Sequence, residues 1–277
     1  KFLNGEIQRN QESIDKKLWK EFGLKHENKH FKLLKEKYKK AISIKQDLKE
    51  EERFKQTVKA IKEGFDLIYH AYFIDDNFRG EADFLIKTNT KSNMGDYSYE
   101  VYDTKVSRKP RPRHIYQITA YSSMLSKIQG TLPEGMYLID GSDIIHKYKT
   151  KEFLDFYLFT KNNFEIYLKN ISKENIYPEK NSNCAVCDYT EVCENIWEKD
   201  NYINQVAKIN RSQIEKLKKV GVTTVKQLAE ANIDKLKVKI NKQALKDRIS
   251  QAQLQEEKRE TGQSKYIILD PDIGKGF

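Results

Sequence analysis

The first 65 residues place apolar side chains at helical spacing within a lysine-rich background. Leu18, Phe22 and Leu33 fall on such positions, which favours amphipathic helix. After residue 65, apolar and polar residues alternate, which is typical of strands. Three strands are predicted in succession, over "FDLIYHAYFIDD", "RGEADFLIKT" and "YSYEVYDTK", with a turn signal and a loop between them. This stretch therefore predicts a meander.

The rest of the chain mixes helical and strand periodicity. A helix is predicted over "RPRHIYQITAYSSMLSKIQG", ending at Gly130, and a second one over "KEFLDFYLFTKNNFEIYLKN". Two short strands lie between them, in "GMYLIDG" and "IIHKYKT". Two short helices around one glycine are predicted further on, in "INRSQIEKLKKVGVTTVKQLAEANIDKL".

The amino-acid composition indicates which class of molecule the protein binds. The chain has 277 residues, 38% of them apolar and 33% charged, and a formal net charge of +10. Such a basic balance favours a polyanion, either nucleic acid or an anionic membrane surface. No run approaches the roughly 18 apolar residues of a membrane span. The polar start, "KFLNGEIQRN", predicts no secretory leader.

Candidate chemistry begins with Asp103 and Lys105 in the third predicted strand. Alternate side chains of a strand share a face, so we expect the two to lie on the same side. The carboxylate suits Mg²⁺ or Mn²⁺, and the ammonium group can orient an attacking water and stabilise charge on a phosphate. A plain ion pair on an edge strand is the alternative interpretation.

Four further residues favour the catalytic interpretation. Asp83 lies between apolar residues of the preceding strand, where a carboxylate is costly unless it is paired or ligates a cation. His26 lies on a predicted helix, and an imidazole with two carboxylates suits Mn²⁺ and tolerates Mg²⁺. Gln117 and Tyr121 are four residues apart on a predicted helix and hence share a face.

Four motifs, taken in order, resemble those of the RecB-like branch of the PD-(D/E)XK nucleases. They read "GLKH" (Gly23–His26), "GEAD" (Gly80–Asp83), "DTK" (Asp103–Lys105) and "QITAY" (Gln117–Tyr121). The resemblance implies an α/β fold, with a restriction-endonuclease-like mixed sheet flanked by helices. One departure is the Asp at position 103, where many of these nucleases have Glu.

The resemblance also implies a role for each motif residue. The ligands of Mg²⁺ or Mn²⁺ would be His26, Asp83, Asp103 and the Thr104 carbonyl. The catalytic residues would be Asp83, Asp103, Lys105 as the catalytic lysine, and Gln117 and Tyr121 as supports that contact DNA. Glu27 would lie either just behind the ligands or on the helix surface.

A basic loop follows the third predicted strand and is stiffened by two prolines. Its cationic residues after Lys105 are Arg108, Lys109, Arg111 and Arg113. Because the loop runs from the predicted active strand to the motif helix, we expect it to bind phosphate. A solvated basic loop is the alternative.

All three cysteines, Cys184, Cys187 and Cys193, lie within ten residues, in "CAVCDYTEVC". An odd, clustered set argues against a disulfide framework and for a reducing compartment, so we expect a cytoplasmic protein. Three thiolates at this spacing suit zinc or an iron–sulfur cluster, either normally with a fourth ligand, and unpaired structural cysteines are the alternative.

The nuclease branch includes members with an iron–sulfur cluster, and this chain is similar to the CRISPR-associated RecB-like exonucleases and AddB nuclease domains among them. In those proteins one cysteine precedes the nuclease core and three follow it. The resemblance therefore implies a 4Fe-4S cluster. Either its fourth ligand lies outside this chain, which is the favoured explanation, or the site in this chain is incomplete.

Nearly the whole chain resembles the nuclease module of larger proteins, which continue into a ribonuclease-H-like exonuclease domain or a superfamily 1 helicase. It is thus expected to be a fragment with three parts: a nuclease domain with the cysteines over residues 1–200, a helix-hairpin-helix-like module over 201–262 and a linker over 263–277. The module offers Lys218 and Lys219 of "KKVGVTT" to a DNA backbone, with a small packing module as the alternative.

The leading hypothesis is a metal-dependent DNA nuclease that cleaves phosphodiester bonds by attack of water. Single-stranded DNA, exonuclease action and a part in repair, recombination or defence are favoured, and no membrane partner is expected. Two other hypotheses stay open at this point. One is a non-catalytic nucleic-acid-binding module whose site is a relic, and the other is a zinc-stabilised adaptor that binds protein.

Overall fold

The computed structural model describes residues 14–170 and 177–267. The chain divides into two compact units, one formed by Ser13–Asn175 and one that contains Ile176–Phe277. Among the described residues, no helix is both long enough and apolar enough to cross a membrane.

A mixed six-stranded sheet forms the centre of the first unit, and its strands follow one another in chain order. The strands are β1 (Ala41–Ser43), β2 (Leu67–Asp75), β3 (Phe78–Thr88), β4 (Ser98–Thr104), β5 (Gly135–Ile139) and β6 (Ile145–Lys149). β1 and β2 are parallel, as are β4 and β5, and the other neighbouring pairs are antiparallel.

Helices provide the connections that parallel strands require. The described helices of this unit are α1 (Ile14–Lys37), α2 (Glu50–Lys62), α3 (Pro112–Gln129) and α4 (Thr150–Asn170). Parallel neighbours cannot be joined by a tight turn, so α2 connects β1 to β2 and α3 connects β4 to β5. This arrangement confirms the predicted α/β fold, a mixed sheet flanked by helices.

Two apolar clusters pack against the sheet. The first, called the α3 cluster here, contains Ile118, Leu125 and Met124 of α3 together with strand residues that include Val101 and Leu85. The second, called the α1 cluster, is formed by Phe31 and Leu34 of α1 and by Tyr38, which follows α1. These side chains pack against Leu67, Tyr69, Phe84 and Ile86. Burial on both sides explains the nearly continuous apolar runs of β2 and β3.

The alternation of side chains breaks at one level of β2 and β3. Tyr69 belongs to the α1 cluster, but Ala71 belongs to the α3 cluster, although residues two apart in a regular strand share a face. The residue between them, His70, has a left-handed φ of 59°. The β3 partners of these two residues, Phe84 and Ala82, change clusters in the same way. Both strands therefore change faces at the same level.

The second unit is helical. Its described elements are α5 (Thr190–Lys199), α6 (Arg211–Lys218), α7 (Val225–Ala229) and α8 (Lys242–Thr261), with 3₁₀ turns at Cys184–Val186 and Ile203–Gln205. Its apolar core includes Trp197, and Cys184 and Cys193 pack against this core. Reciprocal capping boxes begin α6 at Asn210 and α7 at Thr224. The cysteines thus belong to this unit, whereas the sequence-predicted boundary lies at residue 200.

Strand β1 of the first unit was not predicted. The sequence predicts only helix over residues 1–65, and the structure confirms α1 and α2 but has β1 between them. β1 has only three residues, too few to show alternation. Residues 1–13 and the 268–277 part of the predicted linker lie outside the described residues.

Asp75, at the end of β2, connects three elements of this unit. Its carboxylate accepts hydrogen bonds from Lys127 of α3 and Lys161 of α4. Burial alone would raise the pKa of this carboxyl, but the two ammonium groups outweigh burial and hold the pKa below its ordinary value. Such a group stabilises the fold above its unfolded pKa, and this stability is lost as the pH falls through the folded pKa.

We therefore expect Asp75→Asn to lower the free energy of unfolding by about 2 kcal/mol at about pH 7, because two ammonium groups lose their partner. The difference from wild type should shrink below about pH 4, where the wild-type carboxyl becomes protonated. Urea unfolding at both pH values measures this. Asp76 is exposed and has a φ of 51°, which Asn also tolerates, so Asp76→Asn is the matched control. Equal losses in the two variants would contradict this role of Asp75.

Candidate active site

The pairing of β3 with β4 brings Asp83, in the middle of β3, next to Asp103, near the end of β4. Phe84 pairs with Tyr102 in the antiparallel register, and Asp83 precedes Phe84 while Asp103 follows Tyr102. Asp103 is almost fully buried. Asp83 Oδ2 accepts hydrogen bonds from the backbone N–H and the hydroxyl of Thr104, each at 2.6 Å. β4 therefore carries one carboxylate and holds the other in place.

Lys105 neutralises part of this charge. Its Nζ donates to Asp103 Oδ2, so these two side chains meet on one face of β4. Burial, and then the charge of Asp83, raise the pKa of Asp103 to about 8 despite Lys105. Burial also raises the pKa of Asp83, although Lys105 and Thr104 oppose it. One ammonium group is too little for two buried carboxylates, and a cation would stabilise the remaining negative charge.

A third carboxylate, that of Glu27, comes from α1. Burial, and then the charge of Asp83, raise the pKa of Glu27 to about 7. Glu27 in turn contributes to the raised pKa of Asp103. Because these groups act on one another, Glu27 lies close to both aspartates. Such a set of hard oxygen donors fits Mg²⁺ or Mn²⁺.

His26 lies in a different group of side chains. Its Nδ1 is 3.9 Å from Asp143 Oδ1, and its ring meets that of His30 edge-on, with centroids 4.7 Å apart. Within residues 14–170 and 177–267, these three residues form the one set of His, Cys, Asp or Glu ligand atoms that all lie within 4.8 Å of one another. That His26 shares an ion with Asp83 and Asp103 stays a prediction.

His70 belongs to the site but was not among the predicted residues. Its Nδ1 lies 2.7 Å from Glu81 Oε1 and 3.4 Å from Glu27 Oε1. Arg53 donates to the other carboxylate oxygen of Glu81. Left-handed backbone is costly for histidine, and strain of this kind collects at functional sites. The only signal in the sequence was a histidine within an apolar strand pattern.

Gln117 and Tyr121 meet on α3, as their spacing predicts. Gln117 Nε2 donates to the Tyr121 hydroxyl at 2.6 Å. Burial raises the pKa of Tyr121 to about 12, and Asp103 adds to this while Gln117 opposes it. The ring also covers Gly80, where a Cβ would lie only 2.5 Å from Tyr121 Cε1. The glycine of "GEAD" thus allows β3 and Tyr121 to approach each other closely.

The segment between β4 and α3 is basic and exposed. All four of its predicted phosphate-binding residues are exposed: Arg108, Lys109, Arg111 and Arg113. His114, in the first turn of α3, is buried instead. Burial, and then the charges of Lys105 and the neighbouring arginines, lower the pKa of His114 to about 4. Its neutral ring therefore leaves the positive charge of this segment to the lysines and arginines.

The three cysteines of the second unit are free. Cys184 and Cys193 are partly buried, and Cys187 is exposed. Burial, and then the charges of Cys187 and Cys184, raise the pKa of the Cys193 thiol, so the three thiols are close enough to interact. The Thr190 hydroxyl donates to the carbonyls of Cys184 and Cys187, which fixes the turn between them. These thiols fit a thiolate-bound ion or cluster that takes a further ligand.

The lysines of the predicted DNA-binding hairpin are exposed. Lys218 is the last residue of α6, and Lys219 follows it. The connection to α7 turns at Gly221, whose φ of 83° favours glycine. Both lysines thus lie beside a tight turn between two short helices.

Paired aspartates on adjacent strands of a mixed sheet, with a lysine beside them, suit metal-dependent cleavage of phosphodiester bonds. The family model described as the PD-(D/E)XK nuclease superfamily matches residues 3–194. The chain therefore belongs to the PD-(D/E)XK nuclease superfamily. Its members are typically metal-dependent nucleases that use Mg²⁺ or similar divalent ions.

One solved structure with similarity to this chain is "Crystal structure of SSO0001". The two share 14% sequence identity at a TM-score of 0.25, over 65% of this chain and 98% of the other. A TM-score this low supports no conclusion about the present chain. No curated protein matches it.

Gly80 and Gly23, the glycines of two motifs, differ in the space around them, so that substitution by alanine can be compared at a crowded and an open position. Gly80→Ala should lower the free energy of unfolding by about 1–3 kcal/mol, because the new Cβ displaces Tyr121. Gly23→Ala should raise it by up to about 1 kcal/mol, since a Cβ there has no atom within 4 Å and alanine favours helix. Urea unfolding of both variants measures the difference. Equal effects would contradict the close approach of Tyr121 to β3.

Proposed function

We propose that this protein is a divalent-metal-dependent deoxyribonuclease that hydrolyses phosphodiester bonds. The observation that carries the proposal is the set of three poorly solvated carboxylates, Glu27, Asp83 and Asp103, together with the ammonium group of Lys105 on Asp103. Their raised pKa values indicate negative charge that the protein alone does not compensate. Membership of a nuclease superfamily supports the same conclusion.

Glu27, Asp83, Asp103 and the Thr104 carbonyl would hold Mg²⁺ or Mn²⁺. When bound, such an ion polarises the phosphate and lowers the pKa of its water towards neutrality. Thr104 keeps the Asp83 carboxylate in one orientation through two hydrogen bonds. Glu27 Oε1 lies 3.4 Å from His70 Nδ1, which is itself 2.7 Å from Glu81 Oε1. His26 is assigned to a second site below.

Lys105 would position the attacking water and stabilise charge that develops on the phosphate. It is 22% exposed while its partner Asp103 is 2% exposed, so its ammonium group lies where the buried site meets solvent. Tyr121, held by Gln117, would contact the DNA strand and support the carboxylates from α3.

Basic residues would guide the DNA to this site. Arg108, Lys109, Arg111 and Arg113 are exposed next to Lys105 and would bind phosphates of a single strand. Lys218 and Lys219 of the second unit would bind a DNA backbone, as in helix-hairpin-helix modules. We further propose exonuclease action on single-stranded DNA, in repair, recombination or defence, with a fused or associated helicase or exonuclease domain as partner.

Cys184, Cys187 and Cys193 would hold a 4Fe-4S cluster, which would place the protein in the iron–sulfur group of the RecB-like branch. The fourth ligand would come from outside this chain, because the sequence has three cysteines. Free thiols of this kind fit a reducing compartment such as the cytoplasm.

Cleavage of single-stranded DNA in Mg²⁺ or Mn²⁺ tests the proposal, with duplex DNA and RNA as parallel substrates. Lys105→Ala should reduce the rate about 10²–10³-fold, since one charge-stabilising group is removed. Asp83→Asn should abolish cleavage without lowering the melting temperature, because it removes a buried, under-compensated charge. Lys91 is exposed in the same unit, so Lys91→Ala is the control and should leave the rate unchanged.

Undiminished cleavage by Lys105→Ala would overturn the assigned site. Binding of single-stranded DNA with no cleavage under any metal condition would instead favour the non-catalytic nucleic-acid-binding module, for which the exposed basic segment is the supporting observation.

The cysteine assignment has its own test. Protein prepared without oxygen should contain iron and acid-labile sulfide and show a broad brown absorbance, and Cys184→Ser should lose both. The substitution Thr190→Ser keeps the hydroxyl that holds the turn, so this variant should retain the iron and serves as the control. One equivalent of zinc with no iron would overturn the cluster and favour a zinc-stabilised module.

A further inference from the structure

The turn between β5 and β6 meets α1 at a second group of metal-binding side chains. We propose that His26, His30 and Asp143 form a binding site for a divalent transition-metal ion of the zinc class, separate from the carboxylate site. The ion would fasten α1 to the β5–β6 turn.

The donor geometry supports this site. His26 and His30 are one helical turn apart, and their side chains are only 12% and 10% exposed. Asp143 Oδ1 lies 2.9 Å from His30 Nε2 and 3.9 Å from His26 Nδ1. Two imidazoles and one carboxylate suit Zn²⁺ and the neighbouring transition metals far better than Mg²⁺. The Asp143 side chain is 44% exposed, which leaves room for a water ligand.

The turn that carries Asp143 is held in place by Asp140. Asp140 is 2% exposed, and its carboxylate accepts hydrogen bonds from the backbone N–H groups of Ser142 and Ile144 and lies 2.8 Å from His146 Nε2. Asp143 itself has a left-handed φ of 64°. The carboxylate therefore reaches α1 from a turn whose conformation is fixed by other groups, as a preorganised ligand requires.

The His26 ring has a buried polar atom without a partner in the part of the chain that the structure describes. His26 Nε2 is buried and has no hydrogen-bond partner among the described residues. A buried polar atom without a partner is costly, and a ligand at this ring would offset that cost.

One interaction opposes the ion. Lys29 Nζ donates to the other carboxylate oxygen of Asp143, Oδ2. The Lys29 side chain is 54% exposed and can turn to solvent, while Oδ1 remains the atom shared with the histidines. Lys29 is therefore a competitor of the ion, and its removal should have the opposite effect to removal of a ligand.

The site also has a consequence for catalysis, which rests on the proposed function. Glu27 follows His26 directly on α1 and lies near Asp83 and Asp103. The apolar contacts that hold α1 to the sheet, at Phe31 and Leu34, lie C-terminal to it. An ion at His26 and His30 would anchor α1 next to Glu27 itself and so fix the distance between Glu27 and the aspartates.

Cobalt(II) is the probe for this site, titrated into the full chain at about pH 7.5. We expect visible absorbance bands that saturate at one equivalent and lack the sulfur-to-cobalt charge transfer of the cysteines. His30→Gln and Asp143→Asn should each lose these bands, and asparagine tolerates the left-handed backbone of position 143. Asp103→Asn should keep them, because it alters only the carboxylate site.

Two further measurements sharpen the result. Zinc in about hundredfold excess over its Kd should raise the melting temperature of wild type by about 5 °C and leave His30→Gln and Asp143→Asn unchanged. Lys29→Gln should bind cobalt several-fold more tightly than wild type, since the competing ammonium group is gone.

Bands that persist in His30→Gln and Asp143→Asn would overturn the site, as would bands that disappear in Asp103→Asn. Weaker cobalt binding by Lys29→Gln would also contradict it, because Asp143 would then serve only as an ion-pair partner. All these readouts are independent of DNA cleavage, so the second metal site and the nuclease proposal fail or succeed separately.

Discussion

Repulsion among Glu27, Asp83 and Asp103 is the constraint around which the first unit is built. Three carboxylates share a poorly solvated space. Burial is the first cause of their raised pKa values, and the charge of Asp83 adds to it at Glu27 and Asp103. A fold would not keep such a cluster for stability alone, since uncompensated buried charge lowers the free energy of unfolding. The arrangement becomes favourable once a divalent cation is present.

The surrounding side chains hold the carboxylates in place without neutralising them. Thr104 fixes Asp83 by two hydrogen bonds from β4, and Gly80 lets the Tyr121 ring pack directly on β3. The left-handed backbone of His70 coincides with the level at which β2 and β3 change faces. His70 contacts Glu27 and Glu81 from this position, so local strain in β2 contributes to the geometry of the site.

Helix α1 has two functions in this arrangement. Its C-terminal half packs on the sheet through Phe31 and Leu34, and its central turns carry the polar residues His26, Glu27 and His30. Adjacent residues of a helix differ by about 100° in direction. Glu27 and His26 therefore serve two different groups, the carboxylate cluster and the Asp143 turn, from consecutive positions.

Sequence periodicity and motif order determined the α/β class, the helices α1 to α4 and the strands β2 to β6, because these depend on local propensity and on burial of apolar faces. They also selected Asp83, Asp103 and Lys105, since charge within an apolar strand is rare enough to be informative. β1 was missed because three residues show no period.

Only the tertiary structure decided that Glu27 is the residue of α1 whose charge acts on the pKa of Asp103, while His26 lies with His30 and Asp143. It also decided that His70 and Glu81 join the site. The physical reason is that direction around a helix and a break in strand alternation are set by packing between distant segments. A motif such as "GLKH" records the order of residues but carries no information about which way each side chain is turned.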